Sequence, residues 1–162
     1  MILTRVTMKL LLVRHGEAEE PNQEVQDKDR KLVKKGIKQM RRVGSFLSEV
    51  NFLPERVISS PFIRAYQSAD VILDEMELEM QIETEDFLLP SSDPTTVMQA
   101  LVQLDGNVMV VGHNPLLENV IKALTGGEVS LKKGGIALVE VEKEKGVGTL
   151  ELLLDQKTLK LL

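Results

Sequence analysis

The sequence predicts an α/β fold, a three-layer α/β/α sandwich built on a mostly parallel sheet with an antiparallel hairpin at its C-terminal edge. Three observations lead there. Short apolar runs that read as buried strands alternate with longer stretches of helical spacing. Proline, glycine and aspartate punctuate the boundaries between them. The last two strand-like runs are separated by a turn alone, which only an antiparallel pair allows.

The elements follow in order. Met8–Val13 reads as the first strand, with Leu10-Leu11-Leu12-Val13 apolar on both faces, as a buried parallel strand must be. Leu32–Val50 carries Leu32, Val33, Ile37, Met40, Val43 and Leu47 at helical spacing, interrupted by Gly36 and Gly44. Pro54 breaks the chain before a short strand, Arg56–Ser59. Pro61 suits the first turn of a helix over Phe62–Met76, since its missing amide has no partner there anyway. Met80–Glu83 reads as a short strand. Asp93 and Pro94 read as N-cap and first residue of a helix reaching about Leu104. Asp105-Gly106 turns into a strand at Val108–Val111. A helix starting at Pro115 runs to about Leu124 and is stopped by Gly126-Gly127. Ile136–Glu142, a Lys143–Gly148 turn and Leu150–Leu154 form the hairpin. No repeat or linker interrupts the pattern, so a single domain over 1–162, with its core at about 8–154, is expected.

Composition narrows the function classes. A net charge of −5 argues against a nucleic-acid partner, which wants a basic face. It also means that a site for anions must make its positive potential locally. There is no cysteine, which excludes disulfides, thiolate catalysis and cysteine-ligated zinc. No apolar run is long enough to span a membrane, and the first seven residues hold no secretory core, so a cytoplasmic location is expected. Met1 and Met8 are both candidate starts.

The chemistry concentrates at strand ends. The chain has two histidines. His15 follows the first strand within Arg14-His15-Gly16, and His113 follows the Val108–Val111 strand after Gly112. Arg64 lies one turn into the helix after Ser59-Ser60-Pro61. Open α/β sheets place ligands beyond the carboxyl ends of their strands, and helix starts there favour anions. Two arginines and two histidines converging at that edge would bind a phosphoryl group, because guanidinium forks match phosphate oxygens. A neutral histidine can attack phosphorus through one ring nitrogen. Its other nitrogen then needs an acceptor, for which a backbone carbonyl near Gly16 is the candidate. Arg14, Arg64 and a protonated His113 would stabilise the equatorial oxygens. Gly16 would let the chain turn tightly and approach the ligand. Each feature alone has a bland reading as a turn or solvated helix residue; their order and topological positions together do not.

These residues carry a resemblance. Leu11-Leu12-Val13-Arg14-His15-Gly16-Glu17-Ala18, Ser59-Ser60-Pro61-Phe62-Ile63-Arg64-Ala65 with Gln67-Ser68-Ala69, and Val110-Val111-Gly112-His113-Asn114-Pro115 resemble the three motifs of the histidine phosphatase superfamily, which includes the cofactor-dependent phosphoglycerate mutases. Leu32, Gly36 and Gln39 are similar to a further helix motif, with Val33 in place of threonine. The resemblance implies a phosphoglycerate mutase-like fold. It makes His15 the phosphorylated nucleophile, with Arg14, Gly16, Arg64 and His113 binding the phosphoryl group, and requires no metal or other cofactor. Two histidines about a hundred residues apart without cysteine also make a poor transition-metal site.

Within the family, the short chain is similar to the small bacterial phosphohistidine phosphatases, whose compact open sites admit histidine-containing phosphotransfer domains. The expected substrate is therefore phosphohistidine on a protein. A phosphatase for a small phosphorylated metabolite is the alternative in the same reaction class, and a phosphate- or partner-binding module without turnover is the alternative outside it. An alcohol leaving group needs a general acid. The family's acid position falls near Leu88 or Leu89, which leaves Glu85, Asp86 and Asp93 as candidate proton donors nearby, though each reads more simply as a solvated turn residue or cap. The mutase reading is weakened by Ala18, and by Pro21 where mutases carry asparagine. The charged segment Glu19–Lys31 reads as an exposed loop, either a solvated linker or a rim of the site.

Overall fold

The computed structural model describes residues 6–162. The reading of the N-terminal residues as lacking a secretory segment, and of Met1 as a possible start, falls on residues outside that range. The described residues form β1 (Thr7–Arg14), α1 (Lys34–Glu49), β2 (Arg56–Ser59), α2 (Ile63–Glu75), β3 (Ile82–Thr84), α3 (Pro94–Leu101), β4 (Asn107–Gly112), α4 (Leu116–Thr125), β5 (Ile136–Glu142), β6 (Val147–Leu154) and α5 (Gln156–Leu159). The sheet order is β3-β2-β4-β1-β5-β6. β3, β2, β4 and β1 run parallel, while β5 and β6 add antiparallel strands beside β1. The fold is the expected α/β arrangement with an antiparallel C-terminal edge.

Alternation along the strands builds two cores. Leu10 and Leu12 of β1 join Val108, Val110, α3 and α4 on one face, while Leu11 and Val13 join Met109, Val111, α1 and α2 on the other. All four β1 residues are 1% exposed or less, and each such burial contributes about 1.5–3 kcal/mol of transfer free energy. A central strand so fixed carries whatever follows it to a defined place. In α1, Met40, Val43 and Leu47 face the sheet along one helical stripe.

Some boundaries differ from expectation for identifiable reasons. Leu32 does not begin α1: it bridges back to Ala18, and Val33 caps the helix. Pro61 lies outside α2, because Phe62 is the capping residue. α3 ends at Leu101, where the chain tightens into a last turn with Leu104 N donating to Leu101 O. Gly126 terminates α4 with a left-handed φ of 78°, a conformation glycine adopts without steric cost. The one-turn helix α5, capped by Asp155 on Thr158 N, is too short for periodicity to reveal. Short 3-10 turns occupy Asp27–Asp29 and Asp86–Leu88. Among the described residues no helix is long and apolar enough to cross a membrane.

Candidate active site

The parallel ladder continues one residue past each strand, and this is what assembles the site. Arg14 pairs with Gly112, then His15 N donates to Gly112 O at 3.1 Å. Ser60 N donates to Val111 O at 3.0 Å, and Glu85 N to Ser59 O at 3.1 Å. The residues leaving β1, β2 and β3 are therefore held by backbone bonds before any side chain acts. A loop following α4 closes one side, with Gly134 N donating to Arg14 O at 3.2 Å and His15 O at 3.1 Å.

The structure brings His15, His113, Arg14 and Arg64 together. The two imidazoles meet edge to face with centroids 5.1 Å apart. Arg64 Nε donates to His15 Nε2 at 3.3 Å. His15 Nδ1 lies 2.7 Å from Gly16 O; a carbonyl only accepts, so Nδ1 carries the proton and the lone pair is on Nε2. The acceptor left open by the sequence is thus the carbonyl of Gly16 itself. His113 Nε2 lies 2.8 Å from Ser60 Oγ, and the ring of Phe62 packs on its edge. Arg14 donates through Nη1 to Leu131 O at 3.1 Å.

Burial sets the charge states. His15 is 6% exposed and His113 2%. Desolvation, and then the positive charges of Arg64, Arg14 and Lys133, pull the His15 pKa down to about 4 against the Gly16 hydrogen bond. Desolvation with His15, Arg64 and Arg14 pulls His113 down to about 3, against Asp27. Both rings are neutral at neutral pH. The expected protonated His113 is not the state of the free site, because that cation would be buried among other positive charges. Desolvation also lowers the pKa values of Arg14 and Arg64, which stay cationic. The cluster sets two guanidinium groups beside a neutral imidazole whose Nε2 keeps its lone pair, an arrangement able to receive an anion. Among the described residues, the buried side-chain nitrogens and oxygens without a protein partner are Arg14 Nε and His113 Nδ1 of the cluster and Asn114 Oδ1, next to His113 in the chain.

The candidate proton donors are not brought in. Asp93 caps α3, accepting from Thr96 N and Oγ1 at 3.0 Å each. Asp86 is exposed at the start of its 3-10 turn and Glu85 precedes it. No hydrogen bond or ion pair among the described residues joins Glu85, Asp86 or Asp93 to the four-residue cluster. Leu88, one of the two residues near the expected acid position, is fully buried in the core. Gly16 also differs from expectation: its φ is not positive, and a Cβ there would lie 2.7 Å from Gly36 O. It allows backbone contact with α1 rather than a special turn.

Several contributors escaped sequence reasoning. Ser60 supports His113, and Ser68 Oγ accepts from Gly16 N at 3.1 Å. Both serines lie inside the quoted motifs, which was the available signal. Asp27, in the charged loop, reaches Arg64, accepting from its Nη1 through the backbone oxygen at 2.7 Å, and Arg30 in turn donates to the Asp27 carboxylate. Nothing in that loop's composition singles them out. The loop is therefore a rim of the site. Among the described residues no group of three or more His, Asp or Glu side chains is placed to hold a metal ion. A cleft of about 750 Å³ between α1 and the C-terminal residues, lined by Arg42, Phe46, Val50 and Leu159, contains none of the four residues.

An α/β sheet with an Arg-His pair leaving a central strand and a second histidine leaving its parallel neighbour defines a class. The model of the histidine phosphatase superfamily (branch 1) matches residues 10–88. The chain is 30% identical over 148 residues to phosphohistidine phosphatase SixA of Escherichia coli (strain K12), covering 88% of this chain and 90% of that protein. This chain belongs to the histidine phosphatase superfamily. It is also 31% identical over 137 residues to an uncharacterized protein of Picosynechococcus sp., covering 80% of this chain and 82% of that protein. A structure of the protein histidine phosphatase SixA complexed with tungstate superposes with a TM-score of 0.87 at 28% identity, covering 94% of this chain and 99% of that one. A phosphoglycerate mutase from Bacillus anthracis str. Sterne shares the fold, with a TM-score of 0.74 at 18% identity over 95% of this chain and 96% of that one.

Proposed function

We propose that this protein is a phosphatase that works through a covalent phosphohistidine on His15 and removes phosphoryl groups from phosphohistidine on a protein. The observation that carries the reading is the state of His15: neutral, its Nδ1 proton committed to Gly16 O, its Nε2 lone pair directed at Arg64 Nε. Nε2 attacks phosphorus, the N–P bond to the enzyme forms, and the substrate's P–N bond breaks, the substrate ring leaving as neutral imidazole because its other nitrogen carries a proton taken from solvent. Arg64 Nε–H, released from the lone pair, turns to a phosphoryl oxygen, and Arg14 offers its unpaired Nε–H. The phosphoryl dianion offsets the positive surroundings of His113, so that its free Nδ1 donates or takes up a proton there. Water then attacks phosphorus, the P–Nε2 bond breaks, and orthophosphate leaves.

The leaving group favours a phosphoramidate. Imidazole departs readily, whereas an alkoxide requires a placed acid, and among the described residues no hydrogen bond or ion pair joins Glu85, Asp86 or Asp93 to the cluster, Asp93 being held as the cap of α3. The similarity to SixA, a phosphohistidine phosphatase by name, supports the same substrate class. A histidine-containing phosphotransfer domain fits as partner. The test is a panel of phosphohistidine protein, phosphoramidate and sugar phosphates ranked by kcat/KM. Preference for the protein is expected; preference for a sugar phosphate overturns the assignment, and binding without any turnover replaces it with a binding module. No step needs a metal, so EDTA should leave the rate unchanged, and strong inhibition would contradict the scheme.

A further inference from the structure

The loop from Glu19 to Lys31 is tethered at its ends and touches the site at one point. Ala18 bridges to Leu32, Glu19 N donates to Lys31 O at 2.8 Å, and Leu32 N donates to Gln67 Oε1 at 2.8 Å. Its 3-10 turn delivers Asp27 to Arg64, where the backbone oxygen takes Nη1 at 2.7 Å and carboxylate Oδ2 takes Nη2 at 3.4 Å. The other oxygen, Oδ1, accepts from Arg30 Nη1 at 2.7 Å, and Arg30 is itself anchored by Nε on Glu19 O at 2.6 Å. Arg30 is largely buried, with 15% of its side chain exposed. One carboxylate thus sits between two arginines, one fastened to the loop and one belonging to the phosphoryl cluster.

We propose that Asp27 is the resident counter-anion of Arg64, a positioning residue that orients the guanidinium and weakens the grip of the site on free phosphate so that product leaves. The proposal rests on the reading of the cluster as a phosphoryl site. Carboxylate and phosphoryl oxygens compete for the same guanidinium charge. Arg64 already donates three bonds, to His15 and to Asp27 twice, before any substrate arrives. The negative charge of Asp27 also reaches His113, so two of the four groups feel it. A site of two guanidinium groups and two imidazoles without such a carboxylate would hold its own product tightly. The backbone oxygen of Asp27 remains in any side-chain variant, so Arg64 keeps one tether when the charge is removed.

The experiment is calorimetric titration with inorganic phosphate of the wild type, Asp27→Asn, Asp27→Ala and Glu20→Gln. Glu20 is an exposed carboxylate of the same loop, so its variant removes equal charge away from Arg64. Both Asp27 variants should bind phosphate about three- to tenfold more tightly, the effect of removing one partly solvated charge at close range. Glu20→Gln should change binding less than about twofold. Phosphate should inhibit turnover of the Asp27 variants at correspondingly lower concentration. A merely structural Asp27 would loosen Arg64 and weaken binding. Unchanged or weaker binding in both Asp27 variants overturns the proposal, as does equal tightening in Glu20→Gln. If the wild type itself binds no phosphate, the phosphoryl-site reading fails first and the proposal with it.

Discussion

At the scale of single residues, one proton governs the site. The Gly16 carbonyl holds the Nδ1 proton of His15, and burial among cations keeps a second proton off Nε2 down to about pH 4. The neutral, attacking form is therefore complete above that value and lost below it. The acidic limb of kcat/KM contributed by His15 should lie near pH 4 rather than near the 6.5 of a free imidazole; a pH profile on a phosphoramidate measures it, and a limb near 6.5 would contradict the buried, cation-flanked ring. His15→Ala should abolish turnover and acid-labile phosphoenzyme while leaving the circular dichroism spectrum unchanged. Retained turnover would refute the covalent route. Arg64→Ala removes a charged donor from the transferring group and should cost about 3 kcal/mol in kcat/KM, roughly a hundredfold or more. A change of less than about threefold would place Arg64 outside the reaction.

At the scale of elements, the site depends on how closely α1 approaches the turn after β1. A Cβ on Gly36 would collide with Glu17 O, and one on Gly16 would lie 2.7 Å from Gly36 O. Neither obstacle is a flexible side chain, so backbone must move. Gly36→Ala should destabilise the fold by about 1–3 kcal/mol and lower kcat more than Gly44→Ala, whose contacts lie with α2 away from His15. Denaturant unfolding and single-turnover rates measure both, and a fully active, undiminished Gly36→Ala would show the contact to be slack. This pair also marks what was legible beforehand. The strand ends carrying Arg14, His15 and His113 could be read because buried parallel strands write themselves as unbroken apolar runs. Gly36 read only as a blemish in a helix, since a glycine placed for close approach looks the same in sequence as one that merely weakens. Pro61 lies just outside α2 rather than in its first turn, because proline fits either side of a cap. Asp27 and Arg30 were invisible for a different reason. The pairing of Asp27 with both Arg64 and Arg30 depends on the path of an irregular loop, which no periodicity encodes. The failure of Glu85, Asp86 and Asp93 to reach the cluster likewise follows from a 3-10 turn and a helix cap, both set by local backbone bonds.

At the scale of the whole molecule, two neutral imidazoles are enclosed where the sheet's two cores meet its functional edge, and this couples stability to pH. Unfolding exposes both rings to water, where each binds a proton near pH 6.5. Folding holds their pKa values at about 4 and about 3. Between pH 6.5 and 4 the unfolded chain therefore binds more protons, and stability must fall as pH falls through that window. Above pH 6.5 neither state protonates the rings and the contribution is complete. At pH 5 the loss should be on the order of 2 kcal/mol per histidine. The carboxylates held low, Asp27, Glu83, Glu128 and Asp155, start from ordinary values near 4, so they enter the balance chiefly below pH 5. The interval from pH 7 to 5 thus isolates the histidines. Urea unfolding at both values should show the wild type losing several kcal/mol while a His15→Asn/His113→Asn variant loses much less. Equal losses in the two proteins would mean that the rings titrate normally when folded. Saturating phosphate should restore part of the loss at pH 5, because an anion in the cluster favours the protonated rings and binds only the folded state. Stability and catalysis would then draw on one property of the fold, the exclusion of protons from two buried histidines.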